Sequence, residues 1–282
     1  MKVIIAKNAG FCFGVKRAIE EVRIILDKSE NKVYSIGALI HNEKVVNELK
    51  DKGLIELNDV DDIKNLKNEV VIIRTHGIEK ELYNCIRDNG NEIIDLTCPF
   101  VKKIHDIVEK YTNDAYNIIV IGDKNHPEVR GIMSYGSHVN VVLSENDIKE
   151  LEIPKDSKVL VVSQTTADVE TSEKLVDILR NFYYNIDVIN TICNTTIDRQ
   201  EEVKILAKVC DVMLIVGSTN SSNTVKLYNI AKTYQESTYI ISDKNDLESL
   251  SINKKSKVGI CAGASTPQYL IEEIVSDVRN EF

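Results

Sequence analysis

Short apolar runs alternate with amphipathic runs along almost the whole chain. Val3-Ile4-Ile5 is the first apolar run, and the stretch from Val15 to Leu26 that follows it carries apolar residues at helical spacing. Further runs with strand character occupy residues 33–37, 54–57, 70–74, 92–96, 118–122, 139–143, 158–162, 212–217 and 257–262. Because strands that alternate with helices form parallel sheets, the pattern predicts an α/β protein.

Three cysteines occupy the same place in this pattern. Cys12, Cys98 and Cys193 each follow an apolar run and precede a run with helical spacing, and the intervals between them are similar. A residue type that returns at similar intervals, always at a strand-to-helix junction, indicates an internal repeat. The sequence therefore predicts three copies of one α/β unit.

Polar residues mark two further strand-to-helix junctions in each copy. The marked residues are His41, His126 and Ser221 at the first junction and His76, Thr165 and Ser265 at the second. In open parallel sheets, ligands bind beyond the carboxyl ends of the strands. We therefore expect these residues to lie at the ligand-binding edges of their sheets.

The repeats also predict the domain boundaries. The first lobe spans residues 14–97, the second 98–192, and the third 193–282 together with 1–13. The third lobe has no strand of its own before a cysteine, so the strand at Lys2 to Ala6, which precedes Cys12, is expected to complete its sheet. The predicted fold is three similar α/β lobes with small parallel sheets, in a pseudo-threefold trefoil around a central cavity.

Composition narrows the possible functions. The 282 residues are 43% apolar and carry a formal net charge of −9, so no general basic face for nucleic acid is expected. No stretch of about 18 apolar residues occurs, which argues against a membrane-spanning helix. Since the chain begins with a strand pattern, we expect a cytoplasmic protein whose cysteines stay reduced and are available to metal.

Three recurring thiolates without a fourth predict a metal centre that keeps one open coordination position. A structural zinc site would use four ligands, usually with paired spacing, so an iron–sulfur cluster with one exchangeable iron fits better. Cys85, Cys210 and Cys261 fall inside helix or strand patterns and are expected to be small core residues.

The polar junction residues favour a small anionic ligand. Imidazoles, hydroxyls and an amide at several helix N-termini form an anion site, and the candidates are His41, His76, His126, Ser221, Ser222, Asn223 and Ser265. Without a phosphate-binding glycine loop, phosphate or diphosphate is expected rather than a nucleotide. Glu128 either interacts with its helix dipole or serves as a general acid. His105 and His138 are expected to be structural or surface residues.

Taken together, these motifs resemble the 4-hydroxy-3-methylbut-2-enyl diphosphate reductase family over essentially the whole chain. The motifs that carry the resemblance are Ala9-Gly10-Phe11-Cys12-Phe13-Gly14-Val15, His41-Asn42, Thr75-His76-Gly77, Thr97-Cys98-Pro99, His126-Pro127-Glu128, Gln164-Thr165-Thr166, Cys193-Asn194-Thr195-Thr196, Ser221-Ser222-Asn223 and Gly263-Ala264-Ser265-Thr266-Pro267. Each is weak alone, but the set is specific.

The resemblance implies one [4Fe–4S] cluster per chain, held by Cys12, Cys98 and Cys193, with one iron open to substrate. It implies reductive dehydroxylation of an allylic diphosphate to isopentenyl and dimethylallyl diphosphate, with electrons from reduced ferredoxin or flavodoxin. It further implies that Glu128 and Thr165 handle the hydroxyl and the proton. The seven candidates for the anion site would then hold the diphosphate, with Thr165 also contacting the substrate.

The residues themselves leave two other functions open. A hydro-lyase would use the open iron only as a Lewis acid. A redox sensor would need an exposed cluster, but neither Glu128 nor the paired junction residues. Consumption of two reducing equivalents per turnover separates a reductase from both.

Overall fold

The computed structural model describes residues 1–281. The strands are β1 (Lys2–Ile5), β2 (Val33–Ile36), β3 (Leu54–Leu57), β4 (Val70–Ile73), β5 (Glu92–Asp95), β6 (Asn117–Ile121), β7 (Val139–Val142), β8 (Lys158–Ser163), β9 (Asn185–Val188), β10 (Val212–Val216), β11 (Thr238–Ile241) and β12 (Lys257–Ala262). The helices are α1 (Phe13–Lys28), α2 (Glu43–Asp51), α3 (Val60–Asn65), α4 (Lys80–Asp88), α5 (Pro99–Asn113), α6 (Pro127–Met133), α7 (Glu145–Lys149), α8 (Val169–Phe182), α9 (Asn194–Val209), α10 (Ser222–Tyr234), α11 (Lys244–Glu248) and α12 (Gln268–Glu281).

Within residues 1–281, the strands form three four-stranded sheets that share one strand order. The orders are β3-β2-β4-β5 in the first sheet, β7-β6-β8-β9 in the second and β11-β10-β12-β1 in the third. Every neighbouring pair of strands is parallel. The predicted α/β class and the three small parallel sheets are therefore confirmed.

The N-terminal strand lies in the sheet formed by the C-terminal part of the chain. In the register of β1 and β12, Val3 pairs with Val258 and Ile5 with Ile260. This is the position the sequence predicted for a strand that the third repeat lacks. It also makes the third sheet equal in strand number to the other two.

The described residues divide into two compact units. Within residues 1–281, the first unit comprises residues 1–17, 40–48 and the chain from residue 194 onward, and it contains the third sheet. The second unit comprises residues 18–39 and 49–193 and contains the first and second sheets. The three-lobe boundaries at residues 14, 98 and 193 stay a prediction, because this division groups two of the sheets together.

Alternating residues of the central strands supply the cores on opposite faces of each sheet. On β10, Val212, Leu214 and Val216 belong to one buried cluster, whereas Met213 and Ile215 belong to another. On β8, Val159 and Val161 likewise separate from Leu160 and Val162. Parallel strands covered on both faces need apolar residues on both sides, which explains the continuous apolar runs of the sequence.

A glycine ends the second strand in the order of each sheet. The backbone N–H groups of Gly37, Gly122 and Gly217 donate to the carbonyls of Leu57, Val142 and Ile241 at 2.7, 3.0 and 2.9 Å. The chain leaves each sheet at the same place and then enters the loop that carries the first polar junction. No described helix has the length and apolar character needed to cross a membrane.

Candidate active site

The three repeated cysteines share one backbone geometry. Each lies directly before a helix, α1, α5 or α9, and each is half-buried. The N–H groups of Cys98, Cys193 and Cys12 donate to the carbonyls of Thr75, Thr165 and Ala264 at 3.0, 3.0 and 3.1 Å. The segment before each cysteine is thereby joined to the loop that follows the neighbouring strand.

The second polar junction is a four-residue turn with the same hydrogen bond in every repeat. The N–H groups of Gly77, Ala167 and Thr266 donate to the carbonyls of Arg74, Gln164 and Gly263 at 3.0, 2.9 and 3.1 Å. This pattern corrects the predicted correspondence of Thr165 with His76 and Ser265. Thr165 occupies the position of Thr75 and Ala264, so His76 and Ser265 correspond to Thr166.

The first polar junction is the N-cap of a helix. The side chains of Asn42, His126 and Ser221 accept hydrogen bonds from the N–H groups of Val45, Glu128 and Thr224 at 3.2, 3.2 and 3.4 Å. His41 therefore lies one residue before the position of His126 and Ser221, which corrects the predicted correspondence. Sequence reasoning missed the structural role of Asn42, although asparagine before a helical run is a known capping signal.

Glu128 is a buried carboxylate held by one threonine. It lies in the first turn of α6, is only 1% exposed, and follows Pro127 at the first helical position, where proline is favoured. The N–H of Thr165 donates to Oε1 of Glu128 at 2.6 Å, and the Thr165 hydroxyl donates to Oε2 at 2.7 Å. These short bonds fix both oxygens and place the carboxyl group in proton-transfer contact with a hydroxyl.

Two histidines of the second unit lie together. The rings of His76 and His126 meet edge to face, with centroids 5.3 Å apart. The Nδ1 of His126 accepts the hydrogen bond from the Glu128 N–H, so a neutral His126 ring carries its proton on Nε2. His126 therefore presents a neutral N–H donor, which suits an anionic ligand.

The predicted residues of the first unit form a second group. The Ser265 hydroxyl donates to the carbonyl of His41 at 3.2 Å. Ser221 caps α10 and Ser222 opens that helix, while Asn223 in its first turn is 5% exposed. Among residues 1–281, no acceptor lies within hydrogen-bonding distance of Asn223 Nδ2. A buried amide with an unsatisfied N–H at a helix N-terminus is a donor available for an anion.

The remaining histidines lie outside these groups. His105 is 4% exposed and stacks on Tyr135 with ring centroids 4.2 Å apart. Burial lowers the pKa of His105 to about 4, so it is neutral at neutral pH. His138 is exposed before β7. Both placements agree with the structural or surface roles expected from the sequence.

Two of the other cysteines have the environment of core residues. Cys210 and Cys261 are 4% and 3% exposed, and burial raises the pKa of both thiols. Since the thiolate is the metal ligand, such burial disfavours metal binding. Cys85 is half-buried within α4, away from any strand-to-helix junction.

Together, the fold and these sites define a parallel α/β protein of three repeated sheets, with a half-buried cysteine and two polar junctions per repeat and one buried acid–hydroxyl pair. The chain belongs to the LytB protein family, whose model matches residues 3–279.

Bacterial reductases resemble the chain over nearly its full length. It is 44% identical over 282 residues to the 4-hydroxy-3-methylbut-2-enyl diphosphate reductase of Campylobacter fetus, covering 99% of this chain and 98% of that protein. It is 40% identical over 281 residues to the reductase of the same name from Clostridioides difficile, covering 99% and 100%.

Two solved structures have the same fold. One, described as (E)-4-hydroxy-3-methyl-but-2-enyl diphosphate reductase, the terminal enzyme of the non-mevalonate pathway, is 40% identical with a TM-score of 0.72 and covers 99% of this chain and 100% of that one. The other, E-1-hydroxy-2-methyl-but-2-enyl-4-diphosphate reductase from Plasmodium falciparum, is 30% identical with a TM-score of 0.91 and covers 98% and 87%.

The cysteine environments predict different alkylation rates. In metal-free folded protein at pH 8, iodoacetamide should modify the half-buried Cys12, Cys98 and Cys193 faster than the buried Cys210 and Cys261, because burial raises the pKa of the latter two thiols and lowers their thiolate fraction. Peptide mass spectrometry over a time course measures the rates, and the urea-unfolded chain is the control in which they converge. Equal rates for Cys261 and Cys98 in the folded protein would contradict the assignment.

Proposed function

We propose that this chain converts (E)-4-hydroxy-3-methylbut-2-enyl diphosphate to isopentenyl diphosphate and dimethylallyl diphosphate by two-electron reductive dehydroxylation. The main observation in support of the proposal is that both oxygens of the buried Glu128 carboxyl group accept hydrogen bonds from Thr165. Family membership and full-length similarity to reductases of this name support it. The reaction consumes two electrons and two protons and releases one water molecule.

The donor chemistry of the chain fits a [4Fe–4S] cluster. Cys12, Cys98 and Cys193 are half-buried thiols with equivalent backbone bonds, whereas the buried Cys210 and Cys261 have raised pKa values. We assign the first three as ligands, which leaves one iron open. When bound, the cluster would supply the two electrons, received from reduced ferredoxin or flavodoxin, and a Lewis-acidic iron for the substrate hydroxyl.

Neutral donors are assigned to the diphosphate. His126 offers an Nε2–H, Asn223 offers a buried amide N–H, and Ser221 and Ser222 stand at the N-terminus of the 13-residue helix α10. His41, His76 and Ser265 complete the proposed set. Helix N-termini and hydrogen-bond donors can hold a diphosphate without a lysine or arginine cluster. This explains how an acidic chain can bind an acidic substrate.

Glu128 and Thr165 are assigned to proton transfer. Loss of a hydroxyl as water requires one proton on the leaving oxygen, and the carbon skeleton takes up the second. When Glu128 is protonated, its carboxyl O–H can donate to the Thr165 oxygen while the Thr165 O–H donates to the substrate hydroxyl, so Thr165 can pass a proton from Glu128 to the leaving oxygen. The backbone bond from Thr165 keeps the carboxyl group in place while the proton moves.

The first test measures reducing equivalents. After anaerobic reconstitution with iron and sulfide, the chain should bind one cluster and oxidise two equivalents of reduced methyl viologen per molecule of substrate. The Cys98→Ser variant should lose most of its iron, and Cys261→Ser should keep it. Substrate consumption without viologen oxidation would indicate a hydro-lyase, and a cluster without turnover would indicate a sensor.

Replacing Glu128 by glutamine separates proton transfer from packing. Glutamine keeps the size of the side chain and one acceptor oxygen for the Thr165 N–H, and its NH2 group can donate to the Thr165 oxygen, but it cannot deliver a proton. Turnover should therefore fall about 10²–10⁴-fold while iron content is retained. The measurement is the anaerobic rate of viologen oxidation at saturating substrate.

Glu170→Gln is the matched control, because Glu170 is also a first-turn glutamate but is exposed on α8. It should leave turnover unchanged. Near-normal turnover by Glu128→Gln with a full cluster would remove the catalytic role and leave only the interaction with the helix dipole.

Asn223→Ala tests the anion site. Loss of one charge-assisted hydrogen bond costs about 1.5–3 kcal/mol, so the dissociation constant for substrate should rise about tenfold to a hundredfold. Asn229→Ala on the exposed part of the same helix is the control and should bind normally. Calorimetric titration measures both constants, and equal affinities would place the diphosphate elsewhere.

A further inference from the structure

The segment before Cys12 has a backbone turn, in which the Ala9 N–H donates to the Ala6 carbonyl at 3.3 Å, but it lacks the side-chain hydrogen bond found in the other two cysteine segments. Three residues before Cys98, Asp95 Oδ1 accepts the N–H of Thr97 at 3.0 Å. Three residues before Cys193, Asn190 Oδ1 accepts the N–H of Ile192 at 3.1 Å. These are Asx turns, in which a short side chain holds the backbone that leads to the cysteine. The corresponding residue before Cys12 is Ala9, whose methyl side chain cannot accept a hydrogen bond.

The segment before Cys12 is also longer than the stretch of β12 and its following loop that runs beside it. Between two shared backbone bonds, residues 189–193 run beside residues 161–165, so the two chains match in length. Residues 6–12 run beside residues 260–264, so this connection carries two residues more. Gly10 takes up part of the excess with a positive φ of 103°, a conformation that favours glycine. A longer connection without its own Asx turn has more conformational freedom to lose.

Two side chains of α9 hold this connection from outside. Glu202 Oε1 accepts the N–H of Lys7 at 2.5 Å, and Oε2 accepts the N–H of Asn8 at 3.0 Å and its amide at 3.3 Å. Arg199 Nη2 donates to the carbonyl of Gly10 at 2.7 Å. Both residues lie on one face of the helix, because they are three positions apart.

Arg199 is fixed for this contact. It is 6% exposed, and its Nη1 donates to the carbonyl of Thr195 in the first turn of its own helix at 3.2 Å. Because the Arg199 guanidinium hydrogen-bonds to its own helix and to the Gly10 carbonyl, it fixes the distance between α9 and the segment before Cys12. The Glu202 carboxylate accepts from the consecutive N–H groups of Lys7 and Asn8. The Arg199 guanidinium donates to the carbonyl of Gly10.

We propose that Arg199 and Glu202, here called the α9 clamp, are the positioning residues for Cys12. They replace the Asx turns that position Cys98 and Cys193. The role of Cys12 as a ligand rests on the proposed function, whereas the clamp itself can be tested without metal.

The primary test is amide hydrogen exchange on the metal-free chain. Glu202→Ala should raise exchange at Lys7 and Asn8 by about tenfold or more, because each N–H loses a charged acceptor. Exchange at Thr97 and Ile192 should stay unchanged, since their acceptors lie within their own segments. Glu202→Gln keeps one acceptor oxygen and should give a smaller rise. Glu201→Gln, at the exposed neighbouring position, is the matched control and should change nothing.

A second measurement follows Cys12 itself. In metal-free protein, Arg199→Ala should change the iodoacetamide rate of Cys12 by at least about threefold while the rate of Cys98 stays constant. Arg199→Lys, which keeps one donor, should restore part of the normal rate. In reconstituted protein, both alanine variants should release iron to a chelator faster than Glu201→Gln.

Unchanged amide hydrogen exchange at Lys7 and Asn8 in Glu202→Ala would overturn the proposed role of the α9 clamp. Equal acceleration over all three cysteine segments would show general destabilisation rather than positioning. If the chain binds no cluster, iron release cannot be measured and the proposed function is wrong. Amide exchange and cysteine alkylation would still test the role of the α9 clamp.

Discussion

The hydrogen bond from each cysteine N–H to the carbonyl of the neighbouring turn is the constraint on which the candidate site depends. It occurs at Cys12, Cys98 and Cys193 with nearly equal lengths, and it joins the start of a helix to the end of a strand. Because the partner carbonyl belongs to the turn that carries the second set of polar residues, one bond positions a sulfur and a ligand donor together. Thr165 extends this arrangement, since its carbonyl holds Cys193 while its N–H and hydroxyl hold Glu128.

Neutral groups provide most of the hydrogen-bond donors among the candidate site residues. His126 accepts a backbone N–H at one ring nitrogen, and Asn223 is buried with an unsatisfied amide. An anion bound by such donors needs no buried positive charge, whose desolvation would be costly. The one buried carboxylate of the set, Glu128, is satisfied by two donors from a single residue. In the proposed reaction, anion binding and proton transfer therefore use separate groups.

Sequence patterns predicted the sheets because two independent signals agreed. Continuous apolar runs such as Ile118-Ile119-Val120-Ile121 indicate strands buried on both faces, and recurring cysteines indicated the repeat. Exact correspondences were harder, because small differences in loop length shift the register. The sequence pattern pairs His41 with His126 although Asn42 is the cap, and it places Thr165 one residue away from its position in the turn. Contacts made across long sequence separations, such as Glu202 with Lys7, have no local signal at all.

The pairing of β1 with β12 has a consequence for biosynthesis. Residues 2–5 leave the ribosome long before their partner strand, which spans residues 257–262. The first and second sheets use only strands within residues 33–188 and can form while synthesis continues. The third sheet must wait for almost the entire chain, and its closure carries a large loop entropy. Cys12 is therefore the last of the three repeated cysteines to acquire its surroundings during translation.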